Sequence, residues 1–220
     1  MLIIPAIFIQ NGKAVSLYKG EDNPEKKTYH RLPEFYAKEF QEAGAKYLEV
    51  IDLDAKNRKL LPNIRAEFTG EIWWGGEVRT IEEISELLAN GATRIILGTS
   101  ASPIYKEALE KFGVEKIMAG LKVHSDPDAP DKCTELSDQG FKYIILHDLE
   151  SQGTLFHPNF DVMEKCFIFS NAKIFASGGV ADVRHIDLLK KAGVTGVIIA
   201  RALYERHLDL KDLIQRFEDA

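Results

Sequence analysis

Two apolar runs in this chain end in paired glycines and lead into a helical pattern. Ile174-Phe175-Ala176 runs into Ser177-Gly178-Gly179, with Val183, Ile186, Leu188 and Leu189 at helical spacing beyond it. Ile72-Trp73-Trp74 runs into Gly75-Gly76, ahead of Thr80, Ile81, Ile84 and Leu87. Strand, glycine turn and helix together can aim unpaired backbone N–H groups at an anion. Glycine permits close approach, and the first turn of a helix leaves donors free. The Ser177 hydroxyl adds another donor. A glycine pair also serves simply to close a tight corner, so both uses stay open for these turns.

Other residues with chemical capacity fall where apolar runs end. Asp52 and Asp54 follow one run, and Asp148 and Glu150 follow another. They read either as carboxylates around a common mouth or as helix caps and partners for rim lysines. Lys122 suits a salt bridge to Glu77 or Asp52; desolvated, it would be a nucleophilic amine. His147 beside Asp148 fits proton transfer or a hydrogen-bonded wall position, whereas His124 lies in a polar loop and is expected to be solvated. No grouping of His and Cys has the spacing of a metal site, so no metal or cofactor is expected. Trp73 and Trp74 are consecutive on one strand; one must face each side of the sheet, with packing the default for both.

These residues need elements to hold them. The run at 2–9 reads as a strand, followed by an Asn11-Gly12 hairpin signal and a polar loop at 19–27. From there strands at 47–53, 72–74, 94–97, 116–121, 143–146, 173–176 and 196–200 alternate with helical patterns. The helices fall at 32–43, around 63–68, and at 80–90, 103–112, 132–138, 159–167, 181–192 and 209–218. Asp126 to Asp131, with Pro127 and Pro130, reads as a turn. Alternation of this kind requires parallel strands with right-handed crossovers, and eight such units predict a closed (β/α)8 TIM barrel, an α/β fold, in one domain spanning 1–220. The chain also echoes itself at half its length. Ile51-Asp52-Leu53-Asp54 parallels His147-Asp148-Leu149-Glu150, and Leu97-Gly98-Thr99-Ser100 parallels Ile199-Ala200-Arg201-Ala202, as two half-barrel repeats would.

The totals narrow the partners. With 45% hydrophobic and 28% charged residues the composition is that of a globular protein, and a formal charge of −6 argues against a general nucleic-acid surface. No apolar run approaches the ~18 residues of a membrane span, and Met1 to Ile9 reads as a strand with no signal-peptide layout. A cytoplasmic location without membrane attachment is therefore expected. Cys133 and Cys166 are too few and too far apart in sequence to suggest a disulfide framework.

The segments MLIIPAI, AVSLYKG, EAGAKYLEVIDLDAKN, WGGEVRTIEEI, IILGTSA, EKFGVEKIMAGL, QGTL, ASGGV and GVIIARALYE occur in order along nearly the whole chain. Together they resemble the histidine-biosynthesis (β/α)8 barrels, nearer to the HisA isomerase branch than to the cyclase barrel of imidazole glycerol phosphate synthase. The resemblance implies a ligand with a phosphate at each end. One phosphate would sit at Gly75, Gly76, Gly98 and Thr99, and the other at Ser177, Gly178, Gly179 and Arg201. It also implies an Amadori-type rearrangement driven by an aspartate at the end of strand one and another at the end of strand five. Those positions here are Phe8 and Lys122. Glu77 replaces a third glycine, Ala200 a glycine, Gln152 a further aspartate, His147 a threonine and Ser16 an arginine. The aromatic lid of the loop after strand five has no counterpart. The expectation is a HisA-like barrel that binds a phosphorylated small molecule with the usual acid/base pair lost or replaced. His147, Asp148, Lys122 and Asp52 are the groups available for catalysis. The alternatives are an active isomerase using these substitutes, or a non-catalytic partner barrel, for instance of a glutamine amidotransferase.

Overall fold

A computed structural model describes residues 1–21, 24–124 and 127–218. The chain opens with β1 (Leu2–Gln10), β2 (Lys13–Ser16), β3 (Lys27–Thr28) and α1 (Pro33–Glu42). Next come β4 (Tyr47–Asp52), α2 (Leu61–Glu67), β5 (Glu71–Gly75), α3 (Ile81–Ala89), β6 (Arg94–Gly98) and α4 (Tyr105–Phe112). The second half runs β7 (Ile117–Val123), α5 (Ala129–Asp138), β8 (Tyr143–Asp148), α6 (Phe160–Phe169) and β9 (Lys173–Ser177). It ends with α7 (Val183–Lys191), β10 (Gly196–Ile199), α8 (Arg201–Tyr204) and α9 (Leu210–Phe217). Strands β1 and β4 to β10 are parallel neighbours in that order, and Leu2 to Pro5 pair with Gly196 to Ile199 to close the sheet into an eight-stranded barrel. The expected (β/α)8 fold is the observed one. The β2–β3 ribbon is antiparallel to the end of β1, turned by Asn11 and Gly12, both at positive φ.

Closure divides each strand's side chains between two cores. Ile4, Ala6 and Phe8 of β1, Trp73 of β5, Ile96 of β6, Ile145 of β8 and Phe175 of β9 fill the barrel axis. Trp74 and most remaining apolar residues pack between strands and helices. The two tryptophans thus divide as expected, and both are fully buried. Towards the N-terminal end of the strands, Arg94 pairs with Glu71 at 3.1 Å and lies 4.3 Å from the Tyr143 ring centroid, while Trp73 meets Phe175 edge-on at 5.1 Å. The axis there is packed solid, as in barrels whose sites lie at the opposite, C-terminal face.

Three details depart from the sequence reading. Helix α5 begins at Ala129, inside the stretch read as a turn, because Pro130 sits in the first helical turn, where its missing N–H has no partner to lose. Residues 22–23 and 125–126 of the two loops lie outside the described residues. Helix α8 went unanticipated, being four residues long with no room for a periodic pattern. Cys133 and Cys166 are distant in sequence, but α5 packs on α6 and brings them face to face as free, buried thiols. Their hydrogen bond, then burial, push the Cys133 thiol far above its usual range. No helix among the described residues is long and apolar enough to cross a membrane.

Candidate functional site

At the C-terminal ends of the strands the two glycine turns occupy equivalent places in the two half-barrels. Gly76 has φ +103, and a Cβ there would collide with the Asp52 carbonyl; Gly178 has φ +118, and a Cβ would lie 2.5 Å from the Asp148 carbonyl oxygen. Each turn is thus pressed against the end of the preceding strand, so glycine is required by packing whether or not an anion binds.

The two aspartates at these strand ends hold the neighbouring loops. Asp52 and Asp148 are almost wholly buried and one residue out of phase with the axis-facing positions of their strands. Asp52 accepts from the Asn57 backbone N–H at 2.8 Å and from its side-chain amide at 2.7 Å. Asp148 accepts from the N–H groups of Ser151 at 3.2 Å and Asn159 at 3.0 Å. Both carboxylates fold the loop that follows their strand. Strand parity turns both side chains away from the barrel axis, which differs from the mouth-lining placement expected of Asp52 and Asp148 as catalytic groups.

The first recess, about 130 Å³, is lined by Gly76, Glu77, Gly98, Thr99, Lys122 and His147 among others. Gly75 lies beneath it, where a Cβ would crowd Ile51 and Ile96. Glu77 adopts φ +52 in place of the glycine that the resemblance implies, and its carboxylate pairs with Arg79 at the rim, not with Lys122. An arginine therefore neutralises the charge that would repel an incoming phosphate. The following helix is capped internally: Glu83 N–H donates to Thr80 Oγ1 at 3.2 Å, while the Glu83 carboxylate accepts from Thr80 N–H at 3.1 Å and from Arg58 at 2.6 Å.

The second recess, about 40 Å³, is lined by Phe8, Ser16, Gln152, Ser177, Gly178, Gly179, Ala200 and Arg201 among others. Arg201 is held in place by Glu205 at 2.8 Å and by the Gly153 carbonyl. Helix α7 does not open directly on the glycine pair. Its N-cap Asp182 accepts from the Arg184 guanidinium at 3.0 Å and from the Arg184 N–H at 2.7 Å, and these two, in that order, draw the Asp182 carboxyl down to about 2. The expected pairing of each glycine turn with the N-terminus of the next helix differs on this point: each helix is capped by a side chain of its own, Thr80 for α3 and Asp182 for α7. What faces the recess instead is the Gly178-Gly179 backbone and the start of α8.

Lys122 and His147 stand on the wall of the first recess, and Phe8 on that of the second. Phe8 is buried and offers no titratable group. Lys122 is exposed at the mouth, in register with His147 on the adjacent strand. Burial and then the Lys122 charge push the His147 imidazole down to about 4. Behind His147 lies a residue the sequence reading passed over. Glu49 is fully buried on β4, and its Oε1 is 3.9 Å from His147 Nε2. Neither Glu49 oxygen has a hydrogen-bond partner among the described residues, and burial pushes its carboxyl up to about 8. No cluster of three or more His, Cys, Asp or Glu side chains among the described residues is placed to hold a metal.

A closed (β/α)8 barrel with two glycine-lined recesses at the C-terminal mouth, one of them bearing titratable groups, has the layout of a small-molecule site of that fold. The family model "Histidine biosynthesis protein" matches residues 2–209, and the chain belongs to this family. It is 34% identical to a Clostridium botulinum protein, over 97% of this chain and 98% of the relative. It is 36% identical to one from Caldanaerobacter subterraneus subsp. tengcongensis, over 99% and 98%, and 34% identical to one from Streptococcus thermophilus, over 97% and 98%. All three relatives are named as imidazole-4-carboxamide isomerases whose substrate carries two phosphoribosyl groups.

Proposed function

We propose that this barrel binds a small molecule carrying phosphate at both ends, one in each recess, and isomerises it, the activity its relatives are named for, by proton transfer with His147 and Lys122 in place of the aspartates that the resemblance implies. The observation that carries the reading is the arrangement of the mouth: two glycine-lined recesses, with His147 and Lys122 on the wall of the first. Full-length similarity to the isomerases supports the same reaction. In this reading Gly76, Gly98 and Thr99 hold one phosphate, and Ser177, Gly178, Gly179 and Arg201 hold the other. Burial and the Lys122 charge keep the His147 ring neutral, with one nitrogen to donate and the other to accept, and Lys122 offsets the negative charge of a reacting intermediate.

Complementation of a histidine auxotroph lacking the isomerase tests this directly. Growth without histidine, with turnover of the isomerase substrate by the purified protein, is the expected result; absence of both refutes the isomerase reading. A second reading then stands on Phe8 and Lys122, the two changed acid/base positions: a barrel that keeps the phosphorylated ligand and has left the family reaction. Saturable binding of the isomerase substrate without turnover would support it. An amidotransferase-type partner would be seen as a stoichiometric complex on copurification.

A further inference from the structure

The barrel interior holds an ionisable pair that neither half-barrel repeat nor glycine turn explains. Glu49 lies among Ala6 and Trp73, its register neighbours on β1 and β5, and neither brings a charge or a hydrogen bond to it. A carboxyl group left without partners in an apolar interior costs several kcal/mol if ionised and is ordinarily replaced by an apolar residue. Among the described residues the ionisable group that approaches it is His147, whose Nε2 lies 3.9 Å from Glu49 Oε1, about 1 Å beyond a hydrogen bond. From β7 Lys122 faces the same imidazole, and Glu77, on the loop after β5, faces the recess but is paired with Arg79.

We propose that Glu49 and His147 form a proton-sharing couple beneath the mouth, in which Glu49 stores the proton that His147 exchanges with a ligand seated between the two recesses. The proposal rests on reading the mouth as an isomerase site. In the resting couple the Glu49 carboxylic acid donates to Nε2, and Nδ1 carries the imidazole proton. When Nδ1–H is given to one atom of the ligand, the Glu49 proton passes to Nε2, leaving a neutral imidazole and a carboxylate. A proton taken from a second ligand atom at Nδ1 sends the Nε2 proton back to Glu49, so the ligand is isomerised with no net proton gained or lost. Lys122 disfavours a second cation beside it, so the ring relays a proton without becoming imidazolium. Glu49 acts through His147 and is a positioning residue; His147 is the catalytic one.

Nuclear magnetic resonance on the full-length protein with 15N-labelled histidine and 13C-labelled glutamate tests the couple, the His147 signal being identified by its loss in His147→Gln. The expected wild-type result is a neutral His147 with Nε2 unprotonated at pH 6, and a common midpoint for the Glu49 carboxyl carbon and the His147 nitrogens as pH rises. In Glu49→Gln that response of His147 disappears. A His147 that titrates as an isolated imidazole, or whose nitrogens show no response where Glu49 loses its proton above pH 6, overturns the proposal using wild-type protein alone. In the isomerase assay Glu49→Gln should lower kcat by about a hundredfold or more with KM little changed; unchanged kcat overturns the catalytic part. Wild-type protein without turnover refutes the isomerase reading instead, and the resonance data still decide whether the couple exists.

Discussion

Replacing Glu49 by glutamine should change how stability depends on pH, in a window that the two buried groups define. The Glu49 carboxyl moves from 4.5 to about 8 on folding, so between those values the native protein keeps a proton that the unfolded chain has released. Stability from this group is full below pH 4.5 and falls as pH rises, by about 1.4 kcal/mol per unit. His147 moves from 6.5 to about 4, so below pH 6.5 the unfolded chain binds a proton that the native ring refuses. Its contribution rises with pH up to 6.5 and is flat above. The two slopes oppose one another between pH 4.5 and 6.5, and above 6.5 Glu49 acts alone. From pH 6.5 to 8 the wild type should therefore lose about 2 kcal/mol relative to Glu49→Gln. Urea unfolding at constant ionic strength, followed by fluorescence of the buried Trp73 and Trp74, measures both proteins at each pH. Curves that stay parallel from pH 6.5 to 8 would refute the protonated, buried carboxyl and the argument built on it.

Three further outcomes are open to measurement. Gly178→Ala places a Cβ 2.5 Å from the Asp148 carbonyl at φ +118, and should cost about 2–4 kcal/mol in denaturant unfolding. Glu77→Gly removes a side chain held at φ +52; despite losing the Arg79 pair at the exposed rim, it should raise the unfolding midpoint by an amount worth about 1 kcal/mol. Cys133 and Cys166 should resist an aromatic disulfide reagent in the native protein and react together once urea opens the α5–α6 contact; fast labelling of either native thiol would contradict their burial.

The alternation of apolar runs with helical spacing, punctuated by glycine, was enough to specify the eight βα units and their closure, because period and turn chemistry are properties of short segments. The half-length echo likewise located both glycine turns, and its physical content is the repeated packing of Gly76 on Asp52 and Gly178 on Asp148. What each side chain faces was a different matter. Asp52, Asp148, Glu49 and His147 all sit in or at the end of apolar strands buried on both sides, where the run of residue types does not reveal which parity looks inward. Barrel closure made that choice: it turned the two aspartates into loop fasteners and brought Glu49 and His147 together across the axis from strands β4 and β8. It also set Cys133 against Cys166, through two helices that meet only because their strands are neighbours. The frame and the glycine turns follow from local pattern. Which ionisable groups share the interior follows from barrel closure, since a low-dielectric neighbourhood exists only after distant strands have enclosed it.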